Sequence, residues 1–279
     1  MAIPDSFLYG IKSEIDSTFK IFQLSRALSI FRVENIHIFH DKILNPKSNE
    51  VDLIITLLEY LDTPQYLRKR IYPKLDALKY VGKLHPIRAP HHKDKNSLNK
   101  IKNGEVRVGI IEKKGDTFYA DVGLESLIKY IGKIKQSGKK VNVKLIRKNN
   151  HLQAFDIEEH NINEIYWGYK VSYFNSLQDI LIRYKKSNTI LTSKNSEYFS
   201  TKSQFFNQLK NYVNVDTSIL TVFGSPQYGL KEIFAKERID ISKYYSFNFF
   251  PFQGTQTIRL EESIFGVLSI LNHYIFALI

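Results

Sequence analysis

The hydrophobic pattern of this chain changes period twice. Residues 2–92 alternate strand-like and helix-like runs, residues 93–160 carry short apolar/polar alternation broken by glycine, and residues 161–279 return to the first pattern. A half-buried strand needs an apolar residue at every second position and an amphipathic helix at every third or fourth, so a change of period marks a change of fold. The expected architecture is α/β with a parallel sheet, split between residues 1–92 and 161–279 by an inserted all-β module at 93–160.

In the first part, strands are expected at 2–8 and 35–39 and helices at 12–31, 51–61 and 65–71, the last two separated by Thr63-Pro64. Inside the module, strands are expected at 105–112, 117–122, 140–147 and 151–157, with Gly104, Gly115, Gly123 and Gly138 at the breaks. Short strands at near-regular spacing without a long helix suggest a small barrel of the OB type. After it come expected strands at 166–174, 189–193, 219–223 and 247–252, and helices at 177–185, 201–212 and 260–276.

Charge separates the two parts further. The 279 residues carry 40 Lys and Arg against 28 Asp and Glu, and residues 93–148 alone hold 15 basic against 6 acidic residues. Three quarters of the excess therefore lies on one fifth of the chain, which points to a local surface for a polyanion such as RNA. Lys113, Lys114, Lys133, Lys135, Lys139 and Lys140 are the candidate RNA contacts, with His91 and His92 at the entrance to the module and Phe118, Tyr119 or Tyr130 as stacking aromatics. Strand alternation allows only one of Phe118 and Tyr119 to face outward. Cysteine is absent, which excludes disulfides and thiolate chemistry. That absence, and a start at Met1-Ala2-Ile3-Pro4-Asp5 without a secretory pattern, lead us to expect a cytoplasmic protein. The apolar run 264–279 is short of the roughly 20 residues a membrane span requires and is interrupted by Asn272 and His273, so a buried helix and no membrane partner are expected.

Several familiar sites are missing. There is no G-x-G-x-x-G, and the Gly132 to Gly138-Lys139 stretch has one residue too many between its glycines and Lys140 where a P-loop needs Ser or Thr. His85, His91 and His92 lack a helical H-x-x-x-H spacing and carboxylate company, so no metal is expected. The last third is more informative. Phe223-Gly224-Ser225-Pro226 with Gly229-Leu230 follows one apolar strand, and Phe250-Pro251-Phe252-Gln253-Gly254-Thr255-Gln256-Thr257-Ile258-Arg259 follows another and leads into Glu261-Glu262. Glycine-bearing loops after parallel strands let backbone groups approach a ligand, although ordinary strand-to-helix connections carry similar residues.

The second loop resembles the P-x-Q-G-[ST]-x-T-I-R-x-E-E-[SA]-I signature of the SPOUT-class family of RNA methyltransferases of archaea and eukaryotes. Further pieces agree in order: Ala2-Ile3-Pro4-Asp5-Ser6, Arg26-Ala27, Tyr66-Leu67-Arg68-Lys69, Pro90-His91-His92, Tyr166-Trp167-Gly168-Tyr169, Leu191-Thr192-Ser193 and Phe223-Gly224. The resemblance spans nearly the whole chain and is weakest in the module. It implies a C-terminal trefoil knot, an exception to unthreaded topology, in which three loops surround S-adenosyl-L-methionine. On this sequence the implied cofactor residues are Thr192 and Ser193, Phe223, Gly224 and Gly229, then Phe250, Gln253, Gly254, Thr255, Thr257 and Ile258. The resemblance also implies a homodimer, with the helix at 264–275 as a contact, and methylation of uridine N3 in ribosomal RNA.

Methyl transfer from a sulfonium needs alignment, exclusion of water and stabilisation of the nucleophile's developing negative charge. Arg26, on the first helix, and Arg259, next to the cofactor loop, are the catalytic candidates; both could instead pair with Glu261 or Glu262. No general base stands out. A catalytically silent RNA-binding or ribosome-assembly factor, and a transfer-RNA methyltransferase, remain open alternatives at this point.

Overall fold

The computed structural model describes residues 1–96, 98–149, 151–200, 205 and 218–276. It forms two compact units: Met1–Leu58 with Tyr169–Ile279, and Glu59–Gly168.

The first unit holds a six-stranded parallel sheet. Its strands are β1 (Ala2–Pro4), β2 (Asn35–Phe39), β8 (Lys170–Phe174), β9 (Thr189–Thr192), β10 (Leu220–Val222) and β11 (Tyr245–Phe247), in the order β11-β9-β10-β1-β2-β8. All five pairings are parallel, so every strand ends at the same edge of the sheet. The central strands are buried along their whole length, as a sheet covered on both faces requires. Helix α1 (Glu14–Ile30) begins at Ser13, whose Oγ accepts from Asp16 N at 3.4 Å, and buries Ile21, Leu24, Ala27 and Leu28. The last helix, α6 (Leu260–Phe276), packs beside it. Lys20 Nζ lies 3.2 Å from Glu261 Oε2, Phe31 meets Phe265 edge-on, and Arg32 Nη2 donates to Asn272 Oδ1 at 2.7 Å. These contacts rise together in sequence, so α1 and α6 run in the same direction. On the β9 and β10 side, α4 (Leu177–Leu181) and α5 (Leu230–Glu237) supply Leu177, Ile180, Leu230, Ile233 and Phe234 to a core with Leu191, Leu220 and Val222.

Four sequence expectations change in this unit. The first strand stops at Pro4, and Asp5–Leu8 turns into a 3-10 helix because the Asp5 side chain is held under the sheet edge. The strand expected from 166 starts at Lys170, and the helix expected to 185 is the single turn Leu177–Leu181. The strand expected at 247–252 is Tyr245–Phe247; Phe249 and Phe250 are apolar because they pack, not because they pair. Helix α5 was not anticipated. The helix expected at 201–212 lies outside the described residues apart from Phe205.

The second unit contains α3 (Gln65–Ile71) and, after the end of α2 (Ser48–Asp62), a closed five-stranded barrel. Its strands are β3 (Val106–Lys114), β4 (Thr117–Asp121), β5 (Ile128–Ile131), β6 (Lys140–Lys148) and β7 (His151–Asp156), in the order β3-β4-β5-β7-β6. Only β5 with β7 is parallel. The interior is filled by Ile111, Ala120, Val122, Tyr130, Val143, Leu145 and Ala154, every second residue of their strands. Strand β5, four residues long, was missed: a run of Ile128-Lys129-Tyr130-Ile131 is too short to show its period.

Candidate functional site

Strands β10, β9 and β11 are neighbours and parallel, so their carboxyl ends at Val222, Thr192 and Phe247 lie side by side. The three following loops enclose a cavity of about 690 Å³, lined among others by Thr192, Ser193, Phe223, Gly224, Gly229, Leu230, Phe250, Gln253, Thr257, Ile258, Leu260 and Val267. Backbone and short side chains tie the loops together. Ser193 N donates to Phe247 O at 3.0 Å, and Thr192 Oγ1 donates to Val222 O at 3.0 Å. Asn248 joins two of them alone: its Nδ2 donates to Lys194 O at 2.9 Å and its Oδ1 accepts from Phe250 N at 2.8 Å. Lys194 Nζ reaches Gln256 O at 2.8 Å, and Gln253 Nε2 reaches Thr255 O at 2.8 Å.

Two glycines are needed for this shape. A β-carbon on Gly224 would come to 3.0 Å from Tyr228 O and 3.3 Å from Leu230 N, both backbone atoms, so the loop itself would have to shift to admit it. One on Gly266 of α6 would come to 2.5 Å from the Phe250 ring, so that glycine lets the ring lie against the helix and form a wall. Phe252, by contrast, is 91% exposed, takes φ 54° and faces Tyr198 with ring centroids 5.6 Å apart.

The cofactor residues expected from the sequence thus come to one cavity, except Gly254 and Thr255, which belong to the same loop but do not line it. Arg259 is exposed, and its backbone N–H, not its guanidinium, meets Glu262 Oε2 at 2.9 Å. That contact is half of a capping box at the start of α6. Glu261 is taken by Lys20, so neither acid holds the Arg259 side chain. Arg26 is half-buried on α1 with no hydrogen-bond or ion-pair partner among the described residues.

In the barrel unit, Lys113, Lys114, Lys133, Lys135 and Lys139 are exposed. Phe118 turns inward beside Ala120, and Lys113 and Lys135 cover its ring at 5.9 and 5.2 Å, which leaves Tyr119 as the outward aromatic. Lys140 is exposed as well, with its ammonium 3.7 Å from Asp62 Oδ2. Two expectations need correction here. Tyr130 is buried and its hydroxyl donates to Asp156; burial first, then that bond, pushes its pKa up to about 12, and it is a core residue and not a platform. His91 and His92 both hold the Asp62 carbonyl through Nε2 at 2.9 Å, and His91 is buried, so their role is to fasten the chain at the end of α2. Burial, followed by the neighbouring His91, pushes the His92 pKa down to about 4 and keeps it neutral. Among the described residues no group of three or more His, Asp or Glu could hold a metal, and no helix is long and apolar enough to cross a membrane.

Sequence reasoning overlooked a second group, at the ends of β1, β2 and β8. Asp5 is fully buried; its Oδ1 accepts from Asp41 N at 2.9 Å, and its Oδ2 accepts from Tyr173 OH at 3.0 Å and lies 2.9 Å from His40 Nδ1. Burial first, then the Asp5 carboxylate, pushes the Tyr173 pKa up to about 12, so the phenol remains a donor. Asp41, also fully buried, accepts from Ser6 Oγ at 2.6 Å and from Ile43 N and Leu44 N at 2.9 and 3.2 Å. The signal was present in Pro4-Asp5-Ser6 and His40-Asp41: polar residues directly after apolar strands of a parallel sheet.

A family model described as "Putative RNA methyltransferase" matches residues 1–271. The chain belongs to this family. Among its relatives, a protein of Drosophila melanogaster named 28S rRNA (uridine-N(3))-methyltransferase is 28% identical over 98% of this chain and 61% of its own length. The Homo sapiens protein of the same name is 27% identical over 98% and 77%. A Halobacterium salinarum protein is 23% identical over 97% of both chains. The chain thus spans about three fifths of the fly relative's length and nearly all of the halobacterial one's.

Proposed function

We propose that this protein is an S-adenosyl-L-methionine-dependent RNA methyltransferase of the SPOUT class, acting on uridine N3 in ribosomal RNA. The observation that carries the reading is the convergence of the loops after β9, β10 and β11 on one cavity, in a chain whose named relatives methylate that atom of 28S rRNA. The cavity fits the cofactor. Its volume is that of a small-molecule site. Phe223, Leu230, Ile258, Leu260 and Val267 offer apolar walls for adenine, while the side-chain-free Gly224 brings main chain to the lining. When bound, the cofactor supplies an electrophilic methyl group on sulfur. The chain's own task is to exclude water and align the RNA base, with Arg26 and Arg259 as unengaged cations for the base's developing anion.

The finer reading extends to the assembly. The threaded C-terminal segment is part of this reading through the resemblance to the SPOUT class, and the sheet order β11-β9-β10-β1 is compatible with it. A homodimer through the α1 and α6 layer would bring Arg26 to the partner's cavity. The barrel, whose order and single parallel pair are those of an OB fold, would hold RNA on Lys113, Lys114, Lys133, Lys135 and Lys139. Calorimetry with S-adenosyl-L-methionine, followed by nucleoside mass spectrometry of rRNA incubated with protein and cofactor, tests the proposal. One site per chain and the appearance of 3-methyluridine are expected. No binding at millimolar cofactor would overturn it.

A further inference from the structure

The sheet edge that carries the cavity continues past it. β10 pairs with β1 and β1 with β2, all parallel, with Val222 level with Ala2 and His37, so the ends of β1 and β2 stand beside the loop that follows β10, at successive strand spacings of about 4.8 Å. The end of β2 therefore lies roughly 10 Å from the Gly224 loop, about the reach of a nucleobase laid across the end of β1. His40 stands there. Its Nδ1 faces the fully buried Asp5, and its side chain keeps 28% of its surface open.

The chemistry of this pair is directional. The Asp5 carboxylate already accepts from the Asp41 backbone and the Tyr173 hydroxyl, and a carboxylate so placed can only accept again. In the neutral ring the His40 nitrogen facing it carries the proton, which leaves the lone pair on Nε2, a nitrogen without a partner among the described residues. Other charges nearby are engaged: Asp41 with Ser6 and two backbone N–H groups, and Lys42 with Glu237 at 3.6 Å. A mere tie between strand ends needs only one ring nitrogen. An imidazole oriented by a buried carboxylate, with the other nitrogen open at the ligand-binding edge of the sheet, is the arrangement of a general base.

We propose that His40 is the proton acceptor for the RNA nucleophile and Asp5 its positioning residue. The proposal rests on the methyltransferase reading above. In the step, the N–H proton of the base passes to His40 Nε2, the nitrogen's electron pair forms the bond to the methyl carbon, and the carbon–sulfur pair leaves with sulfur. The products are the methylated base, a neutral thioether and an imidazolium held by Asp5.

His40→Asn keeps a donor toward Asp5 but has no basic nitrogen. It is expected to bind S-adenosyl-L-methionine and RNA as the wild type does, yet to lose about 10²–10⁴-fold in methyl transfer, with a rate that keeps rising with pH where the wild type levels off. Asp5→Asn is expected to reverse the ring tautomer, visible in the ¹⁵N spectrum of His40, with a similar loss, and the double variant should be no worse than either alone. An active wild type whose His40→Asn variant stays within threefold overturns the proposal and leaves the function intact. A wild type that moves no methyl group to RNA overturns both.

Discussion

One edge of one sheet is built in two different ways. At the ends of β9, β10 and β11 the loops meet through backbone groups, glycine and amide side chains, and they leave a cavity. At the ends of β1, β2 and β8 two buried carboxylates gather a serine, a histidine, a tyrosine and three backbone N–H groups. The first half trades contacts for room and is suited to a ligand whose polar atoms meet main chain. The second is satisfied internally and holds one ring nitrogen out. Binding and proton transfer would then be separable functions of adjacent strands, and substitutions should separate them.

The largest effect is expected at Asp41. Asp41→Ala leaves the buried Ser6 hydroxyl and the half-buried N–H groups of Ile43 and Leu44 without their acceptor. At about 1 kcal/mol or more for each, the loss of stability should reach about 3 kcal/mol in denaturant unfolding. Affinity for the cofactor at the other half should change by less than about twofold once the protein is folded. An equal loss in both measurements would mean that the two halves are one structural device.

A slightly smaller effect is expected from pH, again in the second half. His37, on β2, is packed against Phe174 and Tyr184 with Nε2 at 2.6 Å from the Tyr184 hydroxyl. Burial, with the chain's terminal ammonium and Arg183 adding to it, pushes its pKa from 6.5 down to about 4. The unfolded chain therefore binds a proton that the folded one refuses between those values. Stability should be full above pH 6.5 and fall as the pH drops toward 4, by about 2–3 kcal/mol in total. Unfolding curves of His37→Phe across that window should be flatter by this amount. An unchanged slope would place the acid sensitivity elsewhere.

The two halves also differ in how far the sequence reveals them. The loops of the cavity were legible because they combine glycine with a short signature, and the barrel because most of its strands alternate over five or more residues. Helix α5 was not, since Leu230 to Glu237 gives only two turns and its apolar face is just Leu230, Ile233 and Phe234. Asp5 and His40 lie 35 positions apart, each just after a different strand, and only the parallel register of β1 with β2 brings them together. Single polar residues after an apolar strand carry no local sign of such a meeting. His91 and His92 show the opposite error: paired histidines drew attention as RNA contacts, whereas burial against Asp62 makes them structural.

The smallest effect in free energy, and the sharpest in location, is expected at Gly224. Gly224→Val places branched carbon against Tyr228 O and the Leu230 N–H, where even a single β-carbon is tight. The loop after β10 is open on its cavity side, so it can move outward at little cost to the fold; the melting temperature should shift by no more than a few degrees, the scale of about 1 kcal/mol or less. The same movement takes backbone groups out of register with a ligand, and cofactor affinity measured by calorimetry should fall at least tenfold, which is about 1.4 kcal/mol. Methyl transfer at saturating cofactor should recover toward the wild-type rate, since the His40 half is untouched. A variant that binds normally would show that the ligand does not rest on this loop, and one that binds normally but cannot turn over would move the proton-transfer step from the end of β2 to the end of β10.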